Sequence, residues 1–285
     1  MAKQFSTILV PVDFSINTEV AVSRAMELVH DDTSCIHLLH VQRFTTANLF
    51  QYFNRLLKGY TRQQVNAGMK QCHHKLERIK ASILERNDRL QVVTWVVAGE
   101  AVEKAIIQKA ARINADLIII GKHSHSRFSF LNIVVPSRLA HLAGIPVLTA
   151  KPGCLNQEIK TVVIPVNMHY PSAKLKMLEA LRNEAMRIRL VVFPDNEHDS
   201  QSTKQSLLNT FRALKIQSSN PVSYEILNGH NKARSLLNYC NKVNADILIV
   251  HPGPETRIGV WMNSHISDIL PTDSRMQVLA VKPNL

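Results

Sequence analysis

Two stretches of the sequence place chemically capable residues where a folded strand would end. Asp13 closes the apolar run Thr7–Val12, and a carboxylate there can meet a ligand or cap the helix that follows. Gly121 closes the run Asp116–Ile120, and Lys122, His123, Ser124, His125 and Arg127 come after it. Backbone N–H groups beside a glycine can approach a phosphate closely, and cationic side chains can neutralise it. The same charges also fit a plain solvent-exposed basic loop. His123 and His125 would need a third ligand to hold a metal, and the sequence nominates none. Cys72, His73 and His74 are adjacent on a predicted helix, so they point in different directions, and Cys72 is expected in the core. There is no GxSxG elbow, no GxxxxGK(S/T) loop, no HExxH and no telling carboxylate pair. The expectation is a protein that is not an enzyme.

The elements that must hold these residues are legible from hydrophobic spacing. Short runs rich in β-branched residues, Thr7–Val12, Cys35–Val41, Leu90–Val97 and Ile145–Ala150, join the run before Gly121 as strands buried on both faces. Between them lie helical patterns. Val20, Ala21, Ala25 and Leu28 share one face, and Asp13, Ser15, Asn17 and Thr18 offer caps in front. Val65, Met69, Cys72, Leu76, Ile79 and Ile83 recur at alternating intervals of four and three, predicting a long helix over 61–85. Further helices are expected over 100–113 and around 135–142. Residues 43–60 read as loop or irregular helix. Strand, helix and strand with short connections give right-handed parallel units.

The second half of the chain repeats the first. Ile8-Leu9-Val10-Pro11-Val12-Asp13 returns 154 residues later as Val162-Val163-Ile164-Pro165-Val166-Asn167. Asn114-Ala115-Asp116-Leu117 returns 130 residues later as Asn244-Ala245-Asp246-Ile247, and both copies close on Lys-Pro, at Lys151 and Lys282. The drop in offset assigns about 24 extra residues to the first copy, between its first and fourth strands. Two domains are expected, over 1–152 and 153–285, with 152–160 as the linker.

Composition bounds the function class. At 285 residues with 45% apolar content the chain can build two cores. No run approaches the roughly 18 apolar residues of a membrane span. Four cysteines lie far apart, and the opening MAKQFSTILVPVD lacks the regions of a secretory signal. A reducing, cytoplasmic setting is expected. The net charge of +12 is shared by both halves, with one concentration from Arg55 to Arg89 that holds nine Lys/Arg and three acids. That face fits a solvated helix; the alternative is nucleic-acid association.

Taken together, ILVPVDFS at 8–15, HLLHVQ at 37–42, Gly99, ADLIIIGKHS at 115–124 and IPVLTAKP at 145–152 resemble the universal stress protein family, here as a tandem pair. The resemblance implies an α/β fold: two doubly wound domains, each a five-stranded parallel sheet with helices on both faces, of the adenine nucleotide alpha hydrolase-like kind. In the ATP-binding branch of that family, the positions of Asp13 and Val41 touch adenosine. A G-x2-G-x9-G-(S/T) loop then wraps the phosphates. The first half keeps Asp13, Val41 and Gly121. Ser124 stands at the second glycine, and Ile133 and Val134 stand at the final pair. The second half has Asn167, Pro194, His251-Pro252-Gly253-Pro254 and Ser264-His265 at the corresponding positions. Branched apolar bulk and prolines remove the donors a phosphate needs. Trp95 and Trp261 read as packing residues; the alternative for Trp261, inside the second ligand loop, is to fill the space a nucleotide would take.

The reading that follows is a non-enzymatic stress-response module with degenerate nucleotide loops. Its first rival binds adenine nucleotide, as ATP, in the first half through Asp13, Val41, Gly121, Lys122, His123 and Ser124, with slow hydrolysis. The second rival is the nucleic-acid module. The halves are expected to pair within the chain or to form a homodimer.

Overall fold

The structure, a computed structural model, describes residues 5–29, 34–42, 62–98, 101–122, 134–193, 197–258 and 265–283. The first half runs β1 (Thr7–Pro11), α1 (Ile16–Leu28), β2 (Cys35–Gln42), α2 (Arg62–Arg86), β3 (Gln91–Ala98), α3 (Val102–Arg112), β4 (Leu117–Gly121), α4 (Pro136–Ala143) and β5 (Val147–Ala150). The second runs β6 (Thr161–Val166), α5 (Ser172–Leu181), β7 (Arg187–Val192), α6 (Glu197–Gln217), β8 (Val222–Ile226), α7 (Lys232–Lys242), β9 (Ile247–Val250), α8 (Ile266–Ile269) and β10 (Gln277–Ala280). The strands form one sheet in the order β3-β2-β1-β4-β5-β10-β9-β6-β7-β8. Within each half every pairing is parallel.

The halves meet through the one antiparallel pairing, β5 with β10, in which Leu148 lies opposite Leu279. Pairing inside the chain is therefore realised, and it produces a continuous ten-stranded sheet. On one face a single core runs across both halves, from Ile8, Leu76 and Leu148 to Leu178, Ile188 and Leu279. On the other face each half keeps its own core, under α3 and α4 in the first and under α7 and α8 in the second. The helices thus cover both faces, as buried parallel strands require.

The repeated Asn-Ala-Asp signature has a physical explanation in both copies. Asn114 and Asn244 adopt left-handed backbone, with φ of 49° and 51°, and end α3 and α7. Ala115 and Ala245 are buried behind them. Asp116 Oδ2 then accepts the N–H groups of Ser6 and Thr7, each at 3.0 Å. Asp246 Oδ2 does the same for Lys160 and Thr161, at 2.9 and 2.8 Å. Each aspartate fastens the entry of its half's first strand to the entry of its fourth. These carboxylates are structural.

Three local features differ from expectation. β5 begins at Val147 rather than Ile145, because Gly144 closes α4 at φ 69° and Pro146 has no N–H to give a ladder. The linker is anchored: Pro152–Cys154 forms a 3-10 turn, and Arg24 donates to the carbonyls of Cys154 and Gln157. Cys72 is only half-buried, its Sγ donating to Gln42 Oε1 at 2.9 Å, whereas Leu76 and Ile83 carry the buried stripe of α2. Gly99 and residues 43–60 lie outside the described residues.

Candidate functional site

In each half the strand order reverses at the first strand, which sits between the second and fourth. In such sheets a ligand crevice opens beyond the carboxyl ends of the strands at that point. In the first half this edge brings Asp13, Val41, Gly121 and Lys122 together, while His123, Ser124, His125, Arg127 and Ile133 lie outside the described residues.

Asp13 is bound into the start of α1. Its Oδ1 accepts from Ser15 N–H at 3.0 Å, Ser15 Oγ at 2.6 Å and Thr18 Oγ1 at 3.0 Å. Thr18 Oγ1 in turn accepts from Asp13 N–H at 3.2 Å. Ser15 caps the helix by accepting from Asn17 N–H at 3.2 Å. Phe14 takes the left-handed conformation at φ 60°, which lays its ring 4.3 Å from that of His40. His40 Nδ1 lies 2.8 Å from the carbonyl of Val12, so Nδ1 carries the proton; burial lowers its basicity. The Val41 side chain is buried in the core with Leu39 and Ile120.

Gly121 is needed for packing. A Cβ there would lie 1.8 Å from the carbonyl oxygen of Asn17, so the first turn of α1 rests directly on the end of β4.

Lys122 corrects an expectation. It does not face the loop as a phosphate counter-charge. Its ammonium is buried and bonds the carbonyl of Val134 at 3.1 Å and the carboxylate of Asp268 in the second half. Asp268 also accepts from His265 N–H at 3.1 Å, capping α8, and His265 Nδ1 lies 3.0 Å from Ser137 Oγ. Burial lowers the basicity of His265. Val134 is fully buried, as its apolar bulk demands.

The second half holds a group the sequence reading missed. Lys174 is fully buried, and its Nζ lies 2.9 and 2.7 Å from the two oxygens of Glu255 and 2.7 Å from the carbonyl of Pro165. Glu255 Oε2 also accepts from His251 N–H at 2.7 Å. A signal was present: Lys174 stands three, four and seven residues before Met177, Leu178 and Leu181, on the inward stripe of α5. Asn167, at the position equivalent to Asp13, accepts from His169 N–H at 3.1 Å. Pro194, Trp261 and Ser264, and with them the alternative plug by Trp261, lie outside the described residues. A crevice of about 350 Å³ remains beside Glu255.

Elsewhere, Trp95 packs as expected. Its Nε1–H donates to His37 Nδ1 at 3.0 Å, and Lys109 lies 3.3 Å from its ring centre. Residues 55–61 of the basic stretch lie outside the described residues; Lys75, Arg78 and Arg86 line a groove of about 690 Å³ with Phe14. Among the described residues no helix is long and apolar enough to cross a membrane, and no group of three or more His, Cys, Asp or Glu gathers as a metal site.

Comparison with known proteins completes the picture. A family model described as the universal stress protein family matches residues 4–151. A universal stress protein from Archaeoglobus fulgidus superposes with a TM-score of 0.67 at 14% identity, covering 98% of this chain and 99% of that one. A functionally unknown protein from Pseudomonas aeruginosa superposes with a TM-score of 0.54 at 16% identity, covering 98% and 93%. At these identities the likeness is one of fold. Among curated proteins, none matches the chain significantly.

Proposed function

The chain belongs to the universal stress protein family, and from that premise we propose that it works as a non-catalytic stress-response module whose two crevices do not use ATP. One observation carries the reading. The polar groups at the strand ends are already committed within the protein: Asp13 to the cap of α1, Lys122 to Asp268, and Lys174 to Glu255.

The second half argues this most fully. His251 N–H is taken by Glu255, Gly253 N–H by Thr256 Oγ1 at 3.2 Å, and Pro252 and Pro254 have no N–H. A phosphate arriving there finds a carboxylate in its place. In the first half, Val134 supplies bulk where a donor is wanted. A module of this kind acts by presenting a folded surface to a partner rather than by turning over a substrate.

A second reading, ATP binding in the first half, is favoured by the joint presence of Asp13 and Gly121 at the edge of β1 and β4. Heat release of any nucleotide carried by the purified chain, followed by chromatography, separates the two. Absence of nucleotide supports the non-catalytic reading, and stoichiometric adenine nucleotide supports its rival.

A further inference from the structure

The ten-stranded sheet ends at two margins, β3 and β8. A marginal strand leaves one row of backbone N–H and C=O groups unpaired, and a bare edge of that kind accepts another strand. The two margins are finished differently. None of the large apolar side chains of β3 is exposed; the Lys109 ammonium lies over the Trp95 ring, and Thr94 Oγ1 donates to Glu77 at 2.6 Å. On β8, by contrast, Tyr224 and Ile226 are half exposed. The helix packed on that strand, α6, meets the Tyr224 ring edge-on through Phe211 at 5.5 Å, and it exposes Leu208 and Ile216 as well. A cluster of exposed apolar side chains along a free edge marks an interface.

The phase of the ladder fixes which backbone groups are free. Ile188 N–H donates to the carbonyl of Pro221 at 2.9 Å, and Leu227 N–H donates to the carbonyl of Val192 at 2.8 Å. In a parallel pair that phase turns the groups of Ser223 and Glu225 inward to β7. The N–H and C=O groups of Val222, Tyr224 and Ile226 therefore point away from the sheet, and none has a partner among the described residues.

This edge is complementary to itself. A second copy set antiparallel, with Tyr224 opposite the partner's Tyr224, brings Val222 opposite the partner's Ile226. Every outward group then finds a partner, and apolar side chains meet apolar side chains on the α6 face. On the opposite face Ser223 lies across from the partner's Glu225. Arg189 donates to Ser223 Oγ at 3.5 Å, so the incoming carboxylate approaches a guanidinium. Sliding the pair by two residues either sets the two Glu225 carboxylates against each other or leaves Ile226 unmatched. Charge and apolar fit thus select one register. The chain already joins its own halves in this manner, with β5 antiparallel to β10.

We propose that two copies of this chain pair antiparallel along β8, about a two-fold axis at Tyr224, and so join their sheets into one. The margins of α6 come together beside the axis and add Leu208 and Phe211 to the contact. The pairing does not depend on what either crevice does with ATP.

Sedimentation equilibrium of the full chain from about 1 to 300 μM should show monomer and dimer in exchange, with a Kd of about 1–100 μM for so short an edge. Tyr224→Lys, a change at a half-exposed side chain, should weaken the dimer at least about tenfold. Tyr224→Pro removes one outward N–H and leaves the ladder to β7 intact, so it should do the same with a native circular dichroism spectrum. Should that variant unfold, Tyr224→Lys decides. Oxidation with diamide should cross-link Tyr224→Cys beyond the background of the four native cysteines. It should not cross-link Ile226→Cys, because the register holds the two copies of that residue about 13 Å apart. A chain that stays monomeric up to about 300 μM overturns the inference, as does a dimer that survives Tyr224→Lys. Cross-linking as strong through Ile226→Cys as through Tyr224→Cys overturns the two-fold register, and the proposal with it.

Discussion

Lys174 Nζ lies 2.9 and 2.7 Å from the two carboxylate oxygens of Glu255, joining α5 to the turn after β9 in a buried ion pair 81 residues apart. Desolvation lowers the basicity of Lys174, and Glu255 opposes that fall. The pair turns a ligand loop into a fixed part of the fold.

Removing one partner leaves a buried charge alone. Lys174→Met should lower stability by about 3–5 kcal/mol in urea denaturation. Combining it with Glu255→Gln, which retains an acceptor for His251 N–H, should recover most of that loss. A single variant that costs less than about 1 kcal/mol would show that the pair is not closed to water.

Lys151 gives a pH signature. Its side chain is fully buried, its Nζ has no hydrogen-bond partner among the described residues, and burial together with Lys122 lowers its pKa from 10.5 to about 8. Between those values the unfolded chain holds the proton and the folded chain does not, so its contribution to stability rises as pH climbs from about 8 to 10.5. Below pH 8 both states are charged and the burial cost is carried in full. Lys151→Met should therefore raise stability at pH 7, by about 1–2 kcal/mol, and flatten the alkaline slope. Denaturation midpoints from pH 7 to 10.5 measure both. An unchanged slope would contradict the assignment.

Two glycines should behave oppositely. Gly121→Ala drives a Cβ to 1.8 Å from the Asn17 carbonyl oxygen and should cost about 1–3 kcal/mol, since backbone must move. Gly68→Ala, inside α2 with nothing among the described residues within 4 Å of its Cβ, should stabilise by about 0.5–1 kcal/mol. Thermal melts of the two variants decide it, and equal effects would sink the packing argument.

The pair Lys122–Asp268 links the halves beyond the β5–β10 ladder. A double-mutant cycle with Lys122→Met and Asp268→Asn should return a coupling of about 1–3 kcal/mol. Because Lys122 is buried, high salt should weaken that coupling little. Additive single effects would show that the contact does not hold the halves together.

The sheet was legible because it is written locally. Apolar β-branched runs and the repeated Asn-Ala-Asp place the five strands of the first half to within two residues, and the turn at Asn114 and Asn244 explains why the signature recurs. Asp13 and Gly121 stand at strand ends that the local pattern marks, whereas Val41 joins them through the family resemblance alone. What could not be read were partnerships between distant residues. Lys122 read as a loop cation, yet its partner Asp268 stands 146 residues away on a four-residue helix. Lys174 and Glu255 are each ordinary in sequence, and only folding sets them against one another. Burial reverses what a charge alone suggests.

The claim that the strand-end groups are committed to structure is tested most directly by titrating the intact chain with magnesium-ATP in a calorimeter, alongside Asp13→Ala. No binding is expected up to millimolar ATP, and for Asp13→Ala only a loss of stability of about 1–2 kcal/mol from the weakened start of α1. Saturable ATP binding in the wild type that Asp13→Ala abolishes would contradict it.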